Sequence, residues 1–169
     1  MTAAVFVDTN VFVYARDASE RVKQPRARQW LEHLWAGRSG RTSMQVVSEY
    51  YVIVTSKLAV LSADEAWSDV AEMLAWNPQP IDEDLIRRSR EVQRRHRLDW
   101  WDSLIIAAAQ LQGCALLLSE DFRDGGVYGN VTVRSPFTLA AHEPLAAYGS
   151  PPKQGHPPRG RPKKVPAAA

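Results

Sequence analysis

Apolar residues in this chain fall into two kinds of run. Ala4-Val5-Phe6-Val7 and Ala115-Leu116-Leu117-Leu118 are short and continuous, without polar alternation, and read as strands buried on both faces. Elsewhere the apolar positions recur at helical spacing. A short helix is suggested over 11–15. A second runs over 25–36, with proline in its first turn, Gly37 as its stop, and Trp30, Leu31, Leu34 and Trp35 as its stripe. Residues 45–57 place Val46, Val47, Tyr50, Tyr51 and Val54 on one side. They read as a helix, with strand as the competing reading because β-branched and aromatic residues dominate. Ser62 and Glu65 form a capping box that opens a helix to about Trp76, closed by Asn77-Pro78. Residues 83–95 point Leu85, Ile86 and Val92 inward and Arg87, Arg88, Arg90, Arg94 and Arg95 outward. Those arginines are either a solvated face or a phosphate contact. The most apolar helix covers 101–111, with Gly113 as its C-cap. Short strands are expected at 41–43, around Ile81 and at 131–133, and a turn at 124–126. Strands alternating with helices predict an α/β fold with a parallel sheet.

Composition sharpens this picture only at the C-terminal end. The chain has 169 residues, 45% hydrophobic and 24% charged, as expected of one globular domain with a proper core. All 19 acids lie in residues 1–150 with 16 of the 21 Lys+Arg, so that section sums to −3. Residues 151–169 hold Lys153, Arg159, Arg161, Lys163 and Lys164, no acid, and six of the 11 prolines. We therefore expect a domain over 1–145 and a disordered basic, Pro-rich tail over 146–169. Cys114 is the one cysteine, so no internal disulfide forms, which fits a reducing, cytoplasmic setting. The first residues lack the basic region of a signal peptide, and no segment approaches the roughly 18 apolar residues of a membrane span.

The candidate chemistry sits where the buried strands end. Asp8 and Asp121 follow the two apolar strands, and parallel strands present their carboxyl ends on one side of the sheet, where ligands bind. Taken alone, Asp8 is either the first member of an acidic metal site or only the cap of the next helix, a place Thr9 or Asn10 would also fill. Glu49 and Asp102 stand among apolar neighbours on helices, with no arginine or lysine adjacent in sequence. A buried ionised acid without a partner is costly. Gathering the four carboxylates around a divalent cation removes that cost, because Mg²⁺ and Mn²⁺ take oxygen ligands. Such ions bind a phosphodiester, generate hydroxide from water and stabilise the leaving oxygen.

Four pieces of the chain together resemble the PIN-domain ribonucleases, specifically the VapC-type toxins of bacterial toxin–antitoxin pairs. They are Val7-Asp8-Thr9-Asn10-Val11 with Tyr14-Ala15, Ser48-Glu49, Trp101-Asp102-Ser103-Leu104-Ile105-Ile106-Ala107-Ala108-Ala109, and Leu118-Ser119-Glu120-Asp121-Phe122 with Asp124-Gly125. They stand in the family's order and cover about residues 4–140. The resemblance implies a three-layer α/β/α fold with a five-stranded parallel sheet. It implies Mg²⁺-dependent endoribonuclease activity, with Mn²⁺ as substitute, that leaves a 5′-phosphate and a 3′-hydroxyl. It maps Asp8, Glu49, Asp102 and Asp121 onto an acidic quartet, with Asn10 and Ser119 in supporting positions beside Thr9. It also implies an RNA substrate, a cognate antitoxin and a homodimer. Asp99 departs from the family pattern; it reads as the cap of its helix or as an outer ligand. Glu120 is left outside the site.

The remaining features are weighed against plainer readings. His33, His96, His142 and His156 show no metal spacing with Cys114, which reads as a small core residue. The six tryptophans read mostly as core, with Trp100 partly exposed. Pro158-Arg159-Gly160-Arg161-Pro162-Lys163-Lys164 resembles an AT-hook; DNA contact, general phosphate attraction and a plain solubilising tail remain open. The alternative to a nuclease is a catalytically idle PIN domain that binds nucleic acid or protein. A haloacid-dehalogenase-like phosphatase would need a second Asp where Asn10 stands.

Overall fold

The computed structural model describes residues 3–141. The expected tail at 146–169, with Arg159, Arg161, Lys163 and Lys164, lies outside the described residues. The elements run β1 (Val5–Val7), α1 (Thr9–Arg16), α2 (Lys23–Ala36), β2 (Gly40–Arg41), α3 (Met44–Val52), α4 (Ala63–Leu74), α5 (Glu83–His96), α6 (Trp100–Leu111), β3 (Leu116–Leu118), β4 (Val127–Tyr128) and β5 (Val131–Arg134).

The strands form one sheet in the order β2-β1-β3-β5-β4. The pairs β1–β2, β1–β3 and β3–β5 are parallel. The last pair, β4–β5, is antiparallel, so the sheet is not wholly parallel as expected. The reason is local. Only two residues, one of them Gly129 at φ 66°, link Tyr128 to Val131, and so short a link allows only a hairpin. Every residue of β1 and of β3 is buried. Successive strand residues face opposite sides, so both faces of the sheet are covered, as a three-layer α/β/α arrangement requires. α6 lies on β3 and β5 and packs against α5, while α1 packs against α2 and α3.

Helix starts follow the capping chemistry. The Ser62/Glu65 box is formed in both directions. Asp99 caps α6. α1 begins earlier than Thr9 or Asn10 would allow as caps, by one and two residues respectively, because Asp8 itself is the extended cap residue (φ −81°, ψ 165°). α3 is helical, and it continues through Ile53–Lys57 as a wider turn with i→i+5 bonding. The edge strand falls at Gly40–Arg41 rather than 41–43, and Ser43 instead bridges Gln79.

Some apolar residues turn outward against expectation. Ile81 is exposed and in no strand, and Ile86 is exposed because Leu85, Ser89 and Val92 already fill the buried face of α5. Trp30 is fully buried, its indole donating to the carbonyls of Pro136 and Leu139 at 3.2 and 3.0 Å. Trp35, Trp67 and Trp101 are 49%, 61% and 64% exposed, so tryptophan is not mostly core here. Cys114 is buried, as expected.

Candidate metal centre

Register builds the first half of the site. Val7 of β1 pairs with Leu118 of β3, so the residues after them, Asp8 and Ser119, stand side by side. The Asp8 N–H donates to the Leu118 carbonyl at 3.0 Å. Ser119 Oγ donates to Asp8 Oδ2 at 2.7 Å, and the Thr9 N–H donates to Asp8 Oδ1 at 2.8 Å. Asp8 is both helix cap and buried carboxylate, so the two readings of it are compatible. Asp121 follows two residues beyond Ser119 and is exposed; its N–H donates to Ser119 Oγ at 3.1 Å. Asn10, on the first turn of α1, ties this half together. Its amide donates to Ser119 Oγ at 3.2 Å and to Asp121 Oδ2 at 3.0 Å.

Helices bring the second half. Glu49 of α3 accepts from Thr9 Oγ1 at 2.9 Å and from Gln45 Nε2 at 3.0 Å. Asp102 lies in the first turn of α6, its N–H donating to Asp99 Oδ1 at 2.8 Å. Glu49 and Asp102 are half-buried, less sheltered than their apolar sequence neighbours suggest.

Asp8 and Asp102 each feel the charges of Asp121 and Glu49. Burial pushes Asp8 from 3.8 up to about 6, with the charges of Asp121 and Glu49 adding to the rise against the hydrogen bonds from Ser119 and Thr9. Asp102 also rises to about 6, through desolvation first, then the charge and hydrogen bond of Asp99, then Asp121 and Glu49. No ion pair among the described residues involves any of the four. As they stand, no three His, Cys, Asp or Glu donors among the described residues are close enough to hold one ion. Asp8, Asp121 and Glu49 are linked through Ser119, Asn10 and Thr9 at the carboxyl end of the sheet, whereas Asp102 is connected to Asp121 and Glu49 only through their charge.

The donor set fits a hard divalent cation. It is all oxygen, it carries excess negative charge, and no lysine or arginine among the described residues forms an ion pair with it. Asn10 Oδ1 is an independent sign: it is buried and has no hydrogen-bond partner among the described residues, although the same side chain's amide nitrogen is doubly used. An unpartnered acceptor beside Asp121 is suited to a cation or its water.

Three residues next to this rim have no role assigned from the sequence, although Tyr14 stands in one of the motif pieces. Tyr14 and Lys23 both reach Glu120, a residue the sequence pattern places outside the site. Tyr14 stands four residues from Asn10, so helical spacing alone would have put it on the same face; Lys23 carried no local signal. Gln45 was likewise legible only as the residue four before Glu49.

The PIN-domain family model matches residues 5–123. Among solved structures, the chain is similar to the VapC20 toxin of Mycobacterium tuberculosis, described as cleaving the sarcin–ricin loop. That match has 19% identity and a TM-score of 0.52, and covers 70% of this chain and 92% of that one. A toxin–antitoxin complex from Klebsiella pneumoniae matches at 21% identity and a TM-score of 0.57, over 79% and 98% of the two chains. FitAcB from Neisseria gonorrhoeae matches at 20% and 0.59, over 80% and 99%. No curated protein matches the sequence.

Proposed function

The chain belongs to the PIN-domain family, and from that premise we propose that it is a metal-dependent endoribonuclease, the toxin of a type II toxin–antitoxin pair. One observation carries the reading: buried Asp8, held by Ser119, shares a rim and a repulsive field with Asp121 and Glu49, and none of the three forms an ion pair among the described residues. In this reading Asp8, Asp102, Asp121 and Glu49 hold Mg²⁺, or Mn²⁺ in its place. Bound there, the ion supplies positive charge for the scissile phosphate and lowers the pKa of water.

The chain's own side chains then have distinct tasks. Ser119 and the Thr9 N–H fix both oxygens of Asp8, so its direction is set before any ligand arrives. Thr9 Oγ1 and Gln45 do the same for Glu49. Asn10 holds Asp121 through its amide, and its buried Oδ1 has no partner among the described residues. A raised carboxyl pKa means that Asp8 and Asp102 are only about half-charged near pH 6 in the metal-free protein and gain their full charge well above it.

RNA as substrate is supported by family membership and by the sarcin–ricin-cleaving neighbour. The neighbouring toxin–antitoxin complex supports an antitoxin partner. A homodimer and a cytoplasmic setting complete the proposal; among the described residues no helix is long and apolar enough to cross a membrane.

Total RNA incubated with the protein and MnCl2 should be cut, and EDTA should stop the cutting. RNA left intact while Mn²⁺ binds would favour the idle PIN domain as a binding module. Deleting residues 151–169 should leave cleavage intact and weaken nucleic-acid affinity at low salt, with the difference fading as salt rises. Unchanged affinity would dismiss Arg159, Arg161, Lys163 and Lys164 as a nucleic-acid tail.

A further inference from the structure

Beyond Ser119, the segment that carries Asp121 leaves the sheet. The Ser119 N–H still donates to the Arg134 carbonyl at 3.1 Å. Among the described residues, the backbone of 120–122 makes no backbone–backbone hydrogen bond. Side chains hold it instead. Phe122 is buried and meets Tyr128 edge-on at 5.9 Å. Asn10 grips Ser119 and Asp121, and Tyr14, one helical turn further along the same face of α1, donates its hydroxyl to Glu120. One helix face therefore holds three consecutive residues.

Lys23, the first residue of α2, closes the set. Its Nζ stands 2.9 Å from Glu120 Oε2, 3.1 Å from Oε1 and 3.2 Å from the Tyr14 hydroxyl. It also lies over the Tyr14 ring at 4.5 Å and the Phe137 ring at 5.4 Å, and those two rings meet edge-on at 5.3 Å. An isolated surface ion pair constrains little. This one is tied to two helices and an aromatic pair, and its acid is the residue between Ser119 and Asp121.

We propose that Glu120, fixed by Tyr14 and Lys23, is a positioning residue for the metal centre, setting where Ser119 and Asp121 stand against Asp8. The inference rests on the metal-dependent nuclease reading. Glu120 touches no substrate in this scheme; it acts through its neighbours, as partners of ligating groups do.

The test compares the full-length wild type with Glu120→Ala, Lys23→Met, Tyr14→Phe and Lys23→Arg. Three readings are taken: MnCl2 binding by calorimetry, cleavage of total RNA against MnCl2 concentration, and hydrogen exchange over 119–123 without metal. Glu120→Ala and Lys23→Met should raise the Kd for Mn²⁺ and the half-saturating Mn²⁺ on the order of 10-fold, with the maximal rate changing much less. Exchange over the segment should quicken. Lys23→Arg, which keeps the cation, should restore binding. Tyr14→Phe, which drops only a hydroxyl, should move the same way by less, and serves if Glu120→Ala does not fold. Lower melting temperatures with unchanged Mn²⁺ affinity would overturn the inference and leave a purely structural ion pair. A wild type that binds Mn²⁺ and cuts RNA while the variants match it overturns this inference alone. A wild type that does neither overturns the nuclease reading and this inference with it.

Discussion

Asp69 and Asp8 are both largely withdrawn from solvent, and their surroundings are opposite. Asp69 accepts from the Arg16 guanidinium, with Nε at 2.8 Å, and from the Tyr50 hydroxyl. It joins α1, α3 and α4 into one unit. Asp8 accepts from one hydroxyl and one backbone N–H, and its charged neighbours are Asp121 and Glu49. The partners respond in kind: Arg16 is pushed up by Asp69, whereas Asp8 is itself pushed up to about 6 by burial and by like charge. Among the described residues, Asp69 is thus given a cation, whereas Asp8, Glu49, Asp102 and Asp121 form no ion pair. A carboxylate kept charged at a cost to the fold is a mark of a site built for a ligand.

Neutralising the rim should have the largest effect and should separate the two kinds of acid at once. Asp8→Asn or Asp102→Asn is expected to lower Mn²⁺-dependent RNA cleavage by about 100-fold or more, since the ion is worth several kcal/mol. Both variants should melt no lower than the wild type, because each removes a disfavoured charge. Activity near the wild-type level in both would reject the site assignment.

The pH dependence of stability follows next. Asp8 has a folded pKa of about 6 against an ordinary 3.8. Its favourable contribution is therefore complete below about pH 4 and is lost as pH rises through 6. A shift of about 2 units corresponds to at most ~3 kcal/mol. Asp102 works in the same direction. Without metal, the melting temperature should fall between pH 5 and pH 7; Asp8→Asn should flatten that fall, and Mn²⁺ at pH 7 should reverse it. A metal-free protein equally stable at both values would remove the electrostatic argument.

Asp69→Ala should do the reverse of Asp8→Asn. Leaving Arg16 and Tyr50 without their acceptor is expected to cost about 2 kcal/mol of stability, measured by urea unfolding, with RNA cleavage nearly unchanged. A comparable loss of cleavage would erase the distinction between the two acids. The smallest effect is expected at Thr9→Val, which frees Glu49 Oε2 while keeping the helix start. Cleavage should drop on the order of 10-fold at limiting Mn²⁺ and recover as Mn²⁺ is raised.

Much of the molecule was legible as pattern. The two buried strands, the Ser62/Glu65 box, the Asp99 cap and the buried Cys114 all follow from local chemistry that no distant residue competes with. The outward turns of Ile86, Trp35 and Trp101 were not legible, since which side of a helix is buried depends on what lies against it. The antiparallel β4 has no sequence signal, because two residues are too few to show a period.

The acidic rim divides the same way. The sequence by itself determined which side chains can carry charge and that Asp8 and Asp121 must leave parallel strands on the same side. Only the tertiary structure decided that Ser119 holds Asp8, that Thr9 holds Glu49 across 40 residues, and that Glu120 answers to Lys23. Periodicity is a property of neighbours along the chain. Pairing between distant side chains is fixed by register and packing, which no local stretch contains.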